Sequence, residues 1–343
     1  MTVRQILFFT GPKQVELREE PLPALGANDI LVETICSAIS AGTEMLIYRG
    51  QFPTSLPDSH DSISSGLHYP MTYGYACVGR VTEIERKVNG EWKDKLVFSF
   101  QPHTSHFIAT PDSLFPIPES LSAESACFFP NTETAVNLVQ DASPILGERV
   151  LVLGQGIIGL LTTALLHEFP LESLVTADFY ELRRKASENI GVTSSLNPDS
   201  PDFRKQATLR LQPTASAQRG FDLTFELSGR PETLNDALAL TAFSGRVVIG
   251  SWYGEKRAAI DLGGDFHRSR IKLISSQVST IAPELSGRWD KARRFDVAWQ
   301  ALQWIKPEKW ITHRFALEKA EEAYRLLDEN PQEAIQISLE YKS

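Results

Sequence analysis

The chain has 343 residues, 42% of them apolar and 22% charged, which is enough for two domains that each bury a core. Lys and Arg number 34 against 43 Asp and Glu, a net charge of −9 that argues against a nucleic-acid surface. No charged-then-apolar leader opens the sequence and no apolar run reaches the length of a bilayer span, so no membrane partner and a cytoplasmic setting are expected.

Residues up to about 118 read as β-rich. Short runs such as Ile30-Leu-Val-Glu-Thr-Ile, Val78-Gly-Arg-Val-Thr-Glu-Ile and Leu96-Val-Phe-Ser-Phe alternate with Gly, Pro, Asp and Asn turns. Between Gln51 and Tyr69 no period survives, which predicts a loop over a cleft. Ser122 to Asp141 reads as helix, with Ser122 and Ser125 as candidate caps. The three cysteines, Cys36, Cys77 and Cys127, follow neither a zinc nor a disulfide spacing, in keeping with a reducing compartment.

From Arg149 the pattern changes to strand alternating with helix. In Val150-Leu-Val-Leu-Gly154-Gln-Gly156-Ile-Ile-Gly159, four apolar residues form a buried strand and Gly154 opens a tight turn. Gly156 lets backbone approach a pyrophosphate, and Gly159 lets the next helix pack on the strand. The loop Gly154, Gln155, Gly156, Ile157, Ile158 and Gly159 thus opens a helix whose N-terminus suits an anion. Leu174-Val-Thr-Ala-Asp178 is a second strand, its carboxylate placed 19 residues after the last glycine to take ribose hydroxyls. Asp178 favours NAD over NADP, while Arg183 and Arg184 offer a clamp for the 2′-phosphate of NADP. Phe221 to Glu226, Gly245 to Gly250 and Ile271 to Ser276 are further strands, and Glu232 to Leu240 a helix. Such alternation predicts an α/β fold with a doubly wound parallel sheet. Helices around Lys291 to Trp304 and Leu317 to Leu327 and a strand from Ala334 to Leu339 form a tail that returns to the N-terminal region.

A β-rich start, a central dinucleotide domain and a C-terminal return resemble the medium-chain dehydrogenase/reductase superfamily, the alcohol dehydrogenase relatives. Echoes along nearly the whole chain carry the resemblance: Pro21-Leu-Pro, Asp29-Ile-Leu-Val-Glu-Thr, Ile47-Tyr-Arg-Gly50, Pro70-Met-Thr-Tyr-Gly74, Leu114-Phe-Pro-Ile-Pro, Glu226-Leu-Ser-Gly229 and Thr312-His-Arg-Phe. The resemblance implies a GroES-like β-rich catalytic domain over 1–145 and 284–343 and a Rossmann domain over 146–283. It also implies a homodimer, and backbone near Ser228, Gly229, Gly250 and Ser251 bordering the nicotinamide.

The zinc branch of that superfamily writes Cys-Gly-Thr-Asp where this chain has Ala41-Gly42-Thr43-Glu44, and Gly-His-Glu where it has Gly74-Tyr75-Ala76. A thiolate and an imidazole for catalytic zinc are both replaced, and Cys127 near the third ligand position cannot complete a tetrahedral set. The four-cysteine lobe of a structural zinc has no counterpart between Asp94 and Pro118. A zinc-lacking branch is therefore expected, and Ile39-Ser-Ala-Gly-Thr-Glu44 is similar to the phrase of bacteriochlorophyllide hydroxyethyl dehydrogenase-like proteins.

Without a metal, an oriented donor must share the charge that develops on the substrate oxygen. Tyr75 is the candidate donor and Thr43 its relay, since zinc relatives keep a hydroxyl at the position of Thr43. The alternative for Tyr75 is a filler of the volume left by metal and histidine, and for Thr43 a turn hydroxyl. Glu44 reads as a structural partner for an arginine. His103, three residues before His106, is a candidate acid/base set against a packing role. Cations at Asp265–Arg270 and Arg288–Arg294 are a solvated face or a site for an anionic substrate, and Trp252, Tyr253 and Trp289 are core or the wall for a ring-bearing one. These residues predict a zinc-independent NAD(P)-dependent oxidoreductase acting on a small-molecule alcohol/carbonyl pair. Reduction of an activated C=C bond, or dinucleotide binding without turnover, are the alternatives.

Overall fold

The structure, a computed structural model, describes residues 3–53, 67–209, 211 and 220–342. Of the segment read as a loop over a cleft, 54–66 lie outside the described residues. The chain divides into two compact units, 1–130 with 302–343, and 131–301.

In the second unit six parallel strands stand in the order Ser194–Leu196, Ser173–Ala177, Arg149–Leu153, Phe221–Glu226, Thr241–Ile249, Lys272–Ser275. In chain order this is 3-2-1-4-5-6, the arrangement of two mononucleotide-binding halves that meet between the first and fourth strands. Every residue of Arg149–Leu153 and of Ser173–Ala177 is buried, because helices cover both faces. Side chains alternate across the sheet: Leu151 and Leu153 pack with Val175, Phe203, Leu234 and Val247, while Val150 and Val152 pack with Leu138, Leu174, Phe225 and Val248. The sheet therefore bears out the expected α/β fold.

The first unit carries a three-stranded sheet of Gln14–Pro21, Val3–Gly11 and Met71–Thr72, and a seven-stranded one. The larger sheet is built around Ile30–Ala38, which pairs with Cys77–Ile84, His106–Ala109 and, from the far end of the chain, Gln336–Glu340. Ser338 lies opposite Ala38, so the tail closes onto the N-terminal strands. Among the described residues, two apolar clusters lie in this unit. One joins Leu7, Phe9, Met45 and Tyr48 to Tyr324 and Leu339, and the other joins Ile30, Val32, Val81, Val97 and Phe107.

The units divide at 130 and 301, whereas the resemblance implies boundaries at 145 and 284. The helices Phe129–Ala142 and Lys291–Ile305 account for the difference. Leu138, Val139 and Ala142 pack into one face of the parallel sheet. Arg294, with no exposed surface, bonds Glu133 and Asn137, so most of the second helix is tied to the first. The helix predicted over 122–141 is interrupted: Ala123–Ala126 is capped by Ser122, whose hydroxyl accepts from the Ser125 N–H at 3.0 Å, and Phe129–Ala142 follows.

Candidate functional site

The glycine loop in the second unit has the shape its sequence predicts. Gly154 sits at φ +97°, and a Cβ there would lie 2.5 Å from the Leu227 carbonyl oxygen. A Cβ on Gly159 would lie 2.0 Å from the Gly154 carbonyl oxygen, so the helix Ile157–His167 can approach its strand only with glycine at that place. Gly156 differs, because a Cβ there meets nothing nearer than the Arg183 guanidinium at 3.9 Å. Its surroundings leave room for a ligand against the backbone, at a helix N-terminus whose first N–H groups have no intrahelical partner. Ile157 and Ile158 form the first turn of that helix, Ile157 buried and Ile158 half-buried.

Asp178 follows the second strand as expected and is 6% exposed. One carboxylate oxygen accepts from the Gln155 N–H at 2.7 Å and the other from the Tyr180 N–H at 2.8 Å. The acid thus fastens the glycine loop to the end of the neighbouring strand, a task its sequence position did not reveal. The Gln155 side chain turns inward, bonding Gly154 O and the Thr163 hydroxyl. The two arginines divide. Arg184 donates to the carbonyls of Asp178 and Phe179, so it closes the strand end rather than clamping a phosphate. Arg183 stacks 4.8 Å over the Tyr180 ring, beside Gly156. These residues fit a dinucleotide: a glycine cradle, an open backbone approach, and an acid and a cation at the ribose end.

The chain continues the site at the ends of the fourth and fifth strands. Gly229, at φ +70°, donates its N–H to the Ser251 hydroxyl at 2.9 Å. Ser228 donates its N–H to the buried Glu226 carboxylate at 2.9 Å. Gly250 packs so closely that a Cβ would meet Leu138 and Leu227 side chains at 2.5 and 2.6 Å.

In the first unit, Tyr75, Thr43 and His103 belong to two adjoining polar groups. The half-buried Tyr75 hydroxyl donates to the Ser40 hydroxyl and lies in hydrogen-bonding reach of Thr43. Burial pushes its phenol up, with Ser40 and Thr43 acting in the opposite direction and the Glu44 charge adding to the rise. The side chain is therefore a neutral donor at neutral pH. Thr43 precedes the short helix Glu44–Tyr48, and its hydroxyl makes no capping bond there.

His103 has no exposed surface. Its Nε2 lies 3.0 Å from Glu44 Oε2 and its Nδ1 lies 2.7 Å from the Ser37 hydroxyl, which in turn bonds the Tyr341 hydroxyl at 2.8 Å. The acid/base role expected for His103 thus meets a ring enclosed on both nitrogens. Glu44 is also fully buried, and among the described residues its partners include no arginine, contrary to expectation. Its carboxylate accepts from His103, from the Tyr324 hydroxyl, and at 2.8 Å from the Ser40 N–H. Ser37, Ser40, Tyr324 and Tyr341 escaped the sequence reading. The available signal was Glu44 itself, a carboxylate inside an otherwise apolar stretch.

In the cation-rich stretch Arg288–Arg294 three side chains are already engaged. Arg294 and Lys291 are both paired with Glu133, and Arg293 stacks 4.0 Å over the Trp289 ring. Trp252 is 37% exposed, whereas the Tyr253 ring packs against one face of the parallel sheet.

Ala41 and Tyr75 stand where the zinc branch writes cysteine and histidine. Ala41 offers no ligand atom, the Tyr75 oxygen is engaged by hydroxyls, and among the described residues no group of three or more His, Cys, Asp or Glu could hold a metal ion. The Cys127 sulfur lies 3.3 Å from that of Cys36, and burial pushes the Cys127 and Cys77 thiols up.

No protein-family profile matches the chain. It is 23% identical over 348 residues to an L-threonine 3-dehydrogenase of Xanthomonas campestris pv. campestris, covering 92% of this chain and 94% of the relative. Among solved structures it is similar to a 2R,3R-butanediol dehydrogenase from Bacillus subtilis, with TM-score 0.78 and 18% identity over 98% of this chain and 99% of that one. It is also similar to a short chain alcohol dehydrogenase from E. coli CFT073 complexed with NADH, with TM-score 0.75 and 19% identity over 98% and 99% of the two chains. Along nearly its whole length the chain is thus similar in sequence to a threonine dehydrogenase and shares the fold of alcohol dehydrogenases of known structure.

Proposed function

We propose that the chain is an NAD(P)-dependent oxidoreductase that exchanges hydride with an alcohol/carbonyl substrate without catalytic zinc. The observation that carries this reading is the Tyr75 phenol, held by Ser40 and Thr43 where the zinc branch keeps a metal ligand. When bound, the nicotinamide supplies or accepts the hydride. Gly154 to Gly159 hold the pyrophosphate against backbone, with Asp178 and Arg183 at the ribose end and Ser228, Gly229, Gly250 and Ser251 at the nicotinamide end. With substrate bound, the Ser40 hydroxyl turns to donate to Tyr75 Oη, which turns its one proton to the substrate oxygen and shares its charge as carbonyl becomes alkoxide. Ser40 and Thr43 fix the phenol's direction, and the proton that an alcohol substrate loses passes through Tyr75 and the half-buried Thr43 hydroxyl to solvent water. His103 supports this group through Glu44 rather than meeting substrate.

The names of the relatives point the same way, since position 3 of threonine and both hydroxyl carbons of butanediol are secondary alcohols. We place the protein in a cytoplasmic setting and expect a homodimer. The edge strand Lys272–Ser275, with Leu273 39% exposed, offers the pairing edge.

Turnover with NADH and NADPH over ketones, aldehydes, quinones and enones tests the reading, beside metal analysis of the purified protein. Activity on ketones or aldehydes with no stoichiometric metal is the expected result. Stoichiometric zinc would sink the metal-free claim, activity confined to enones or quinones would mark a C=C reductase, and cofactor binding without turnover would mark a non-catalytic binder.

The cofactor preference has its own test. Asp178→Ala is expected to weaken both NADH and NADPH in fluorescence titrations, because the Gln155 N–H loses its anchor. NADH should lose about tenfold or more, being deprived of an acceptor for its ribose hydroxyls, and NADPH distinctly less because a repelling charge also disappears. A larger loss for NADPH would overturn the assignment to NAD.

A further inference from the structure

The two acids at the carboxyl edge of the parallel sheet do parallel work. Asp178, after the second strand, accepts from the amide two residues on and from the loop after the first strand. Glu226, at the end of the fourth strand, also accepts from the amide two residues on, that of Ser228 at 2.9 Å, and from the Ser228 hydroxyl. It has no exposed surface, and its second oxygen accepts from the Tyr253 hydroxyl at 2.5 Å, beyond the fifth strand. Two more bonds join the same loops: Gly229 N–H to the Ser251 hydroxyl at 2.9 Å, and Lys256 Nζ to the Gly229 carbonyl at 2.9 Å.

In a doubly wound sheet the ligand lies outside the carboxyl ends of the strands, at the point where strand order reverses. Here that point lies between Arg149–Leu153 and Phe221–Glu226. One half of a dinucleotide then covers the Asp178 side, and the other half covers the ends of the fourth and fifth strands. We propose that Glu226 and Tyr253 are positioning residues for the nicotinamide half, lacing the 228–230 loop to the 251–256 loop so that both present fixed backbone to the ring. The inference rests on the cofactor reading above.

Tyr253 is well suited to the task. Burial first, and then the Glu226 charge, push its phenol far up, so it remains a donor at every working pH. Its ring is fixed by packing with the core on one face of the sheet. Tyr253→Phe keeps that ring and removes only the bond to Glu226. Ser251→Ala removes the second lace and leaves Tyr253 in place.

The test compares NADH with ADP-ribose, which lacks the nicotinamide, by titration of wild type and each variant. NADPH against 2′-phospho-ADP-ribose provides the same comparison for the phosphorylated cofactor. Each variant is expected to bind the nicotinamide form about tenfold more weakly while binding the truncated form unchanged, which also reports an intact fold. Equal weakening of both forms, or no weakening of either, would overturn the positioning role and leave the cofactor reading standing. Wild type that binds none of the four ligands would overturn the cofactor reading itself.

Discussion

Glu44→Ala is expected to lower the unfolding free energy by about 3–5 kcal/mol, because it leaves buried donors without their acceptor, at about 1–3 kcal/mol each, and a cavity beside them. Three donors converge on this carboxylate: the Ser40 N–H, His103 Nε2 and the Tyr324 hydroxyl. His103 and Tyr324 have no exposed surface, so neither can turn to water when the acceptor disappears. The damage should spread, because Glu44 also joins segments far apart in sequence. His103 continues to Ser37 and Tyr341, and Tyr324 lies in the helix Ala320–Glu329, stacked 5.5 Å from Tyr48.

Glu44→Gln provides the control. A carbonyl oxygen can still accept from Ser40, and an amide N–H2 faces the other two partners. Tyr324 can reverse its hydroxyl to accept, and His103 can move its proton to Nδ1 and donate to Ser37, so about 1–2 kcal/mol should be lost. Urea unfolding followed by far-ultraviolet dichroism measures both variants. Equal losses below about 1 kcal/mol would mean that the cluster does not hold this unit together.

Why some of this was readable in the sequence and some was not follows from range. The parallel sheet was legible because strands covered on both faces are written as unbroken apolar runs, such as Val150 to Leu153. The glycine loop was legible because its demands are local: Gly154 and Gly159 are forced by backbone, whatever else the chain does. The short helix Glu44–Tyr48 is too brief to show a 3.6-residue period, and the three-residue strand Ser194–Leu196 escapes for the same reason. Domain boundaries were displaced because Arg294 looked like one cation in a charged run, while its carboxylate partner lies 161 residues earlier.

The candidate site shows the same division. Its members were found singly, Tyr75 and Thr43 by their resemblance positions and His103 by its chemistry. Their partners were not, since Glu44 and Tyr324 are 280 residues apart and Ser37 and Tyr341 are 304 apart. A buried carboxylate announces that donors must surround it, but not which ones. The expectation of an arginine beside Glu44 was the common solution, and this chain uses imidazole, phenol and backbone amide instead.

Tyr75→Phe separates a donor from a filler. If the ring only occupies the space of a lost metal site, phenylalanine fills it equally well and turnover is unchanged. If the phenol shares the charge on the substrate oxygen, kcat should fall by about 10²–10³, the usual loss when one preorganised donor is removed. The loss belongs to kcat rather than KM, because the bond strengthens as the oxygen gains charge and contributes little to the ground state. NADH affinity should stay at its wild-type value, since Tyr75 and the glycine loop belong to different units. Thr43→Val sharpens the reading: it removes one of the two hydroxyls around the phenol and leaves Ser40 in place. A smaller loss of about tenfold is expected there, because the donor remains but is held by one partner instead of two. Undiminished kcat in Tyr75→Phe would remove the phenol from the chemistry and return the search for a donor to other groups of the first unit. A fall in kcat that tracked a fall in NADH affinity would instead point to a general disturbance of the fold.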